Sequence, residues 1–417
     1  RDDVESRGLG DVYKRQIKGL FEGGDRIIVA TDAGREGELI FRYIYHYLGC
    51  TKPFVRLWIS SLTDKAIREG MERLQPGGNY DNLYLSAKAR SEADWLIGIN
   101  GSQALSLAAG RGVFSLGRVQ TPTLAMICSR YLENRSFTPK KYMQIRITVE
   151  KDGIAFHATA EHRYENKTAA DNALGEMKAC GTFHITELTR REVKEEPPLL
   201  YDLTALQREA NTRLDFSADR TLSLAQSLYE KKVLSYPRTG SRYVSEDVFD
   251  EIPSRIALLR QHPRFGQYAA SLSGTPLNRR SVDGGKVTDH HALIITENLP
   301  SGLSKDEQAI YDMVAARLLE AFSAPCIKEV TEIRAAVGSS EAQAKGTVVK
   351  SAGWRAVRGE KEEDDGGGMA LPNLEQDETL PVKALKAVER QTKPKPLHTE
   401  SSLLSAMEHC GREIGCL

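Results

Sequence analysis

The sequence lacks a net charge, paired cysteines and any long apolar run. Its 57 Lys and Arg residues balance 57 Asp and Glu residues, so any binding of nucleic acid must come from local clusters. The 6 cysteines have no paired spacing, which argues against a zinc ribbon or a disulfide framework and favours reduced thiols in a cytoplasm. No run approaches the roughly 18 apolar residues of a membrane-spanning helix. No P-loop pattern supports the use of ATP.

The chain is long enough for several domains. A length of 417 residues predicts about two to four domains at roughly 150 residues each. Residues 1–16 (RDDVESRGLGDVYKRQ) have no apolar periodicity and do not begin with Met. We expect this stretch to be a non-native leader and exclude it from the fold prediction.

An apolar run that ends in an acidic turn predicts a ligand site. Ile27–Ala30 is apolar and β-branched, which favours a buried parallel strand, and a helical pattern closed by Gly49 follows. Asp32 and Glu36 then lie at the carboxyl end of the strand, where open α/β sheets bind ligands. Two carboxylates there suit Mg²⁺. A solvated acidic turn after a core strand is the alternative.

The stretch from Val233 to Tyr243 combines a phenol with cations. Pro237 favours an extended conformation for Tyr236, so Arg238 lies on the same side of the chain. An arginine there can hold a phosphate through two parallel hydrogen bonds, and Thr239 and Arg242 add a hydroxyl and a further cation. The alternative is an ordinary tyrosine at a strand-to-turn junction, with a solvated arginine.

A long helix and a glycine-containing turn lie between these two stretches. The segment 83–107 has an apolar stripe at helical spacing that includes Leu96, Ile97 and Ile99. Arg90 and Asp94 are four positions apart on this helix and can pair along one face. Residues 115–120 form a turn with Arg118 and Gln120, and a helix is predicted from 122 to 132.

Two β-rich blocks flank a helical insertion. Apolar residues alternate with polar ones from Tyr142 onward, and strand-like texture continues near 183–188. It returns at 329–337 and 347–350. The insertion, 201–324, contains a helix for which Ser217 is the expected N-cap. A further helix is predicted after Thr399. One β domain interrupted by a helical domain is therefore expected.

Three sequence motifs, in the order in which they occur along the chain, indicate a resemblance to a known family. DAGREGE, SLGRVQTPTL and YPRT together resemble a type IA DNA topoisomerase of the bacterial topoisomerase III kind, from about Gly19 to Ile414. The resemblance implies a multidomain α/β and α+β protein, with a partial Toprim domain, helical domains and a β-rich arch of an incomplete toroidal fold. The implied bounds are 1–16 leader, 17–77 Toprim, 78–141 helical DNA groove, 142–205 arch, 206–325 helical domain with the tyrosine, 326–396 arch, and 397–417 return to the helical domain.

The resemblance also implies a mechanism, a cofactor and partners. Tyr236 attacks single-stranded DNA to give a 5′-phosphotyrosine link, Arg238 stabilises the phosphoryl charge, and Asp32 and Glu36 bind Mg²⁺. A second strand then passes through the gap without ATP. Single-stranded DNA is the expected partner of a monomeric, cytoplasmic, nucleoid-associated protein that works beside a helicase or a single-strand-binding protein. The implied DNA contacts are Arg90, Asp94, Ser115, Arg118, Gln120 and His290.

The sequence departs from the family pattern in two places. The family's first strand, with a general-acid glutamate and a lysine, has no counterpart, so a fragment truncated at both ends and inactive as given is expected. Gly34 replaces a second aspartate in a turn where a positive φ is expected, which predicts weaker metal binding unless Glu38 contributes. One alternative is a non-catalytic protein that binds single-stranded DNA. Another Toprim nuclease or primase is a third reading, against which the YPRT and GRVQ stretches speak.

Overall fold

A computed structural model of the chain describes residues 2–359 and 371–410. Its first unit is a three-stranded sheet with helices, in which β1 is parallel to β2 and β3 is antiparallel to β2. The predicted strand, acidic turn and helix are present, but the strand is not buried throughout: Ile28 is 39% exposed and Val29 only 2%, because successive side chains of a strand point to opposite faces. The predicted leader overlaps the first helix. The elements are α1 (Asp2–Gly23), β1 (Ile27–Val29), α2 (Arg35–Tyr47), β2 (Phe54–Arg56), α3 (Asp64–Glu72) and β3 (Gln75–Pro76).

Two long helices, α4 (Asp81–Ala109) and α5 (Gln120–Ser136), follow and confirm the predicted helical segment. Two serine hydroxyls of α4 hold the connecting loop, because they accept hydrogen bonds from the backbone N–H groups of Phe114 (2.9 Å) and Leu116 (2.8 Å). The predicted apolar stripe of α4 is largely open to solvent: Leu96 and Ile97 are at least half exposed. The N-terminal part of α4 packs against α2.

A closed antiparallel barrel forms the middle of the molecule, with strand order β4-β5-β8-β7-β6-β9. Alternate residues of β4 point into its core, where the Phe156 and Phe183 rings meet edge to face at 6.0 Å. The strands come from both sides of the helical insertion, so the predicted interrupted β domain is confirmed. The elements are β4 (Lys141–Lys151), β5 (Ile154–Ala160), α6 (Lys167–Cys180), β6 (Thr182–Glu195), β7 (Cys326–Val337), β8 (Ser340–Ser351) and β9 (Thr379–Gln391).

The insertion is a compact helical unit with the largest apolar core of the described residues. Its predicted N-cap is confirmed, because the Ser217 hydroxyl accepts the Arg220 N–H at 3.1 Å. Thr399 caps the last helix in the same way, and that helix packs on the unit. The helices are α7 (Leu203–Leu214), α8 (Ala218–Glu230), α9 (Glu246–Leu258), α10 (Gly266–Leu272), α11 (Lys305–Ala321) and α12 (Glu400–Glu408). Among the described residues, no helix has the length and apolar character needed to cross a membrane.

Candidate active site

Tyr236 lies in the loop after α8, between two aromatic neighbours. Its ring centroid is 4.6 Å from that of His290 and 5.3 Å from that of Tyr229, which meets it edge-on. The expected extended run is present as an isolated bridge, in which Leu234 pairs with Ile295. The half-buried phenol therefore lies on the wall of a cavity instead of inside a sheet.

His290 joins the tyrosine loop to the acidic turn of the first unit. Its Nε2 lies 3.5 Å from Oδ2 of Asp32, and its carbonyl accepts a hydrogen bond from the Thr239 hydroxyl at 3.0 Å. The neighbouring His291 is partly buried, and desolvation lowers the pKa of its imidazole, which favours the neutral form. Of the two adjacent histidines, His290 is thus the one that faces the acidic turn.

The acidic turn presents two exposed carboxylates, those of Asp32 and Glu36. The buried Arg56 holds this turn, because its guanidinium donates to the carbonyls of Thr31 (2.6 Å) and Asp32 (2.5 Å). The expectation that Glu38 could contribute to a metal site is wrong. Its side chain is fully buried, and its two oxygens accept from Arg42 (2.8 Å) and Arg56 (3.0 Å).

The carboxylates of Asp32 and Glu36 fit a cation whose other ligands are mostly waters or phosphate oxygens and not protein side chains. In residues 2–359 and 371–410, no cluster of three or more His, Cys, Asp or Glu side chains could enclose a metal ion. Asp32 and Glu36 remain as exposed oxygen donors, and Mg²⁺ takes one or two carboxylates together with waters and phosphate oxygens. Gly34 has φ −158°, so the expected positive φ is wrong. A Cβ at this position would overlap the carboxylate of Asp289.

The predicted DNA-contacting residues lie along α4 and the loop after it. The expected ion pair between Arg90 and Asp94 is wrong: Arg90 lies 3.6 Å from the Glu36 carboxylate, and Asp94 accepts from Nε of Arg118 at 2.8 Å. Side chains from other segments satisfy both residues, because α4 presents them to α2 and to the loop. Ser115 and Gln120 are exposed in that loop or just after it.

Two of the three residues singled out after Tyr236 make contacts other than those expected of them. Arg238 is exposed and makes no hydrogen bond or ion pair to any residue that the structure describes, so its guanidinium is available for a phosphate. The Thr239 hydroxyl is already committed to His290. Arg242 donates to the Leu200 carbonyl at 3.1 Å, so the expectation of a second cation beside Tyr236 is not supported.

The structure adds a contact that the sequence did not reveal. Asp247, in the first turn of α9, accepts hydrogen bonds from the hydroxyls of Ser61 (2.8 Å) and Thr63 (2.7 Å) in the first unit. Like the approach of Asp289 to Gly34, it joins segments that are far apart in the chain. No spacing or composition signal marks such pairs, since each partner is an ordinary polar residue.

Comparisons with known proteins agree on one group of relatives. A family model described as DNA topoisomerase matches residues 78–416. The chain is 41% identical over 396 residues to the DNA topoisomerase 3 of Bacillus subtilis and to that of Bacillus licheniformis, which covers 92% of this chain and 54% of each relative. Full-length topoisomerase I from Thermotoga maritima superposes with a TM-score of 0.71 at 26% identity, over 96% of this chain and 65% of that one. The chain spans about half the length of the curated relatives it matches.

Proposed function

The chain belongs to the type IA DNA topoisomerase family, and we propose that it carries the cleavage and rejoining centre of an ATP-independent enzyme that acts on single-stranded DNA. The observation that carries this proposal is the meeting of Tyr236, His290 and Asp32. The Tyr236 ring lies 4.6 Å from that of His290, whose Nε2 lies 3.5 Å from Asp32. A phenol is thus close to an imidazole and an exposed carboxylate.

The reaction is a reversible exchange of phosphate esters. The Tyr236 oxygen attacks the phosphorus of a backbone phosphodiester, and the bond to the 3′ oxygen breaks. The phenolic proton is lost and the leaving oxygen gains one, so the products are a 5′-phosphotyrosine and a 3′-hydroxyl. The unpaired Arg238 stabilises the charge on the phosphoryl oxygens. Rejoining reverses each step after a second strand has passed.

Family members generally depend on Mg²⁺, and Asp32 and Glu36 are the residues proposed to hold it. The ion would neutralise charge on the phosphate. His290 would donate to a phosphate oxygen, and its place beside both Asp32 and Tyr236 supports this role. The proposed contacts to the DNA backbone along the groove are Arg90, Asp94, Ser115, Arg118 and Gln120. A helicase or single-strand-binding partner, a monomeric state and a place at the nucleoid remain part of the proposal.

The test is covalent capture of a labelled oligonucleotide, in a protein extended to the length of its relatives. Denaturation should trap an adduct that Tyr236→Phe abolishes, by a factor of about 10² or more because no other nucleophile replaces it. Tyr229→Phe is the matched control: it keeps the edge-on ring and should retain the adduct. Affinity for single-stranded DNA should be similar in all three proteins. An undiminished adduct in Tyr236→Phe would contradict the proposal.

A second arm uses the chain of 417 residues itself. It is expected to bind single-stranded DNA weakly, with an affinity that falls as salt rises, and not to relax supercoiled plasmid. Robust relaxation by this chain would show that the expected requirement for a further strand with a general-acid glutamate is mistaken.

A further inference from the structure

The cavity that Tyr236 lines has a lysine on its wall. Its volume is about 910 Å³, and it lies between the loop at 60–64 and the segments that flank Tyr236. Lys232, which lies four positions before the tyrosine in the same loop, lines this cavity together with Thr296 and Asn298. The lining also contains several carboxylates, so a phosphate would need a cation in order to enter.

The backbone of Lys232 has an unusual conformation for a residue with a long side chain. Its φ is +61°, the left-handed region that favours glycine after a helix. Three hydrogen bonds fix this geometry: the Lys232 N–H donates to the Tyr229 carbonyl at 2.8 Å, and its own carbonyl accepts from Thr296 Oγ1 (2.6 Å) and Asn298 Nδ2 (2.8 Å). A lysine side chain here therefore costs stability that glycine would not.

The ammonium of Lys232 is available, like the guanidinium of Arg238, which does not line this cavity. Lys232 is exposed and makes no hydrogen bond or ion pair to a described residue. The preceding Lys231 is committed to Glu307, with Nζ 2.6 Å from Oε1. Arg255, which also lines the cavity, is paired with Glu251. Of the two Lys and Arg side chains that line this cavity, Lys232 is thus the one free to meet an anion from outside the protein.

We propose that Lys232 binds a backbone phosphate of the DNA segment that becomes attached to Tyr236. This inference rests on the proposed function. Lys232 and Tyr236 belong to one short loop after α8, so the cation stays with the covalently held segment when the strand is open. Lys232 is a positioning residue: it holds the next phosphate so that the phosphotyrosine can meet the 3′-hydroxyl again, and it does not touch the reacting atoms.

The first experiment compares two adjacent lysines in the 417-residue chain. Lys232→Gly should weaken binding of a short oligothymidylate about three- to tenfold and lower the salt dependence of log Kd by about 0.7, the value for one single-strand phosphate contact. Its Tm should stay the same or rise, since glycine adopts the left-handed conformation without strain. Lys232→Arg keeps the positive charge and should show the same salt dependence of log Kd as the wild type.

Lys231→Gln is the matched control, because it removes a positive charge one position away. Its ammonium is bonded to Glu307, so its loss should lower the Tm and leave the salt dependence unchanged. A salt dependence equal to that of the wild type in Lys232→Gly would overturn the inference. The opposite pattern, in which Lys231→Gln alone changes the salt dependence, would also overturn it.

The second experiment locates the phosphate. In the longer protein, oligonucleotides with one uncharged methylphosphonate, placed stepwise on the 3′ side of the cleaved bond, are compared by adduct yield. At one position the methylphosphonate should reduce the adduct yield of the wild type. The same oligonucleotide should cause no further reduction in Lys232→Gly, because the methylphosphonate and the substitution of the lysine remove the same contact. Additive effects at every position would contradict the assignment.

The two proposals can fail separately. If Lys232→Gly changes nothing while Tyr236→Phe abolishes the adduct, the assignment of Lys232 is wrong and the proposed function stands. If Lys232→Gly lowers the salt dependence while Tyr236→Phe keeps its adduct, the proposed function is wrong. In that case Lys232 binds a phosphate, but not one of a segment held by Tyr236.

Discussion

At position 34 the side chain is a hydrogen atom, and the Asp289 carboxylate fills the space that a larger residue would occupy. The next residue along, His290, reaches Asp32. The close approach of the two segments therefore depends on the small size of Gly34, and not on a special φ, which is extended here. An aspartate at 34 would bring a second carboxylate against that of Asp289.

We expect Gly34→Asp to lower the Tm in EDTA, because the Asp289 carboxylate must move away from the new side chain and two like charges are brought together. Mg²⁺ should restore part of the loss, because an ion that binds the folded protein stabilises it. The measurement is thermal unfolding across a Mg²⁺ titration. The sequence-based expectation, a lower Mg²⁺ requirement for activity, is checked in the same series.

Gly34→Asn is the control, because asparagine has nearly the same volume without the charge. It should lose as much stability from overlap and gain less from Mg²⁺. If Asn and Asp respond equally to the metal, the carboxylate at 34 does not reach the ion. If neither variant loses stability, Asp289 simply moves away.

At the scale of elements, the loop between β2 and α3 is tied to α9 through one carboxylate. The Thr63 hydroxyl accepts the Ala66 N–H at the start of α3 and donates to Asp247, while Ser61 donates to the same oxygen. Burial raises the pKa of the Asp247 carboxyl, but the surrounding hydroxyls of Ser245, Thr63 and Ser61 outweigh it and lower the pKa below its usual value. The ionised form is therefore the one that holds the two elements together.

Because its folded pKa is lowered, Asp247 should contribute stability above its unfolded pKa, about 3.9, and lose that contribution as pH falls through the lower folded value. Asp247→Asn should cost about 1 kcal/mol at pH 7, since hydrogen bonds to a charged group are worth about 1.5–3 kcal/mol and this group is partly solvated. The Tm difference between wild type and variant should be constant from pH 7 to 5 and narrow below pH 4. A difference that does not change down to pH 3 would rule out the ionised contact.

At the scale of the whole molecule, a buried ion-pair network joins the turn after β8 to the helical unit. Arg317 pairs with Glu209 and Glu320, and Arg358, from the turn after β8, pairs with the same two carboxylates. The Arg317 guanidinium also lies 4.0 Å from the centre of the Tyr201 ring. Burial raises the pKa of Glu209, but Arg317 and Arg358 outweigh it and hold that pKa below its usual value. The turn that leaves the barrel after β8 is therefore held on the tyrosine-bearing unit by charge as well as by packing.

Glu320→Ala should lower the free energy of unfolding by about 3–5 kcal/mol, because it leaves two buried guanidinium groups with one shared carboxylate. The double variant Glu320→Ala/Arg358→Met should lose clearly less than the sum of the losses of Glu320→Ala and Arg358→Met, since the remaining pair of Arg317 and Glu209 is balanced. Urea unfolding of the four proteins measures this. Additive losses would mean that the two residues do not act in one network.

Several parts of this protein could be predicted from local sequence alone. The strand, acidic turn and helix around Asp32, the N-caps at Ser217 and Thr399 and the alternation in β4 each depend on residues within a few positions of one another. Hydrogen bonds at helix ends and the two-residue period of a strand are set over that range. The order of the three motifs was enough to identify the family.

The tertiary structure decided everything that depends on distant partners. Glu38 and Glu36 are two positions apart on one helix, yet one is buried between two arginines and the other is exposed. Arg90 and Asp94 have the spacing of an ion pair, but α2 and the loop after α4 supply nearer partners. Burial and charge pairing are determined by which segments fold against each other, and His290 meets Asp32 and Tyr236 for that reason alone.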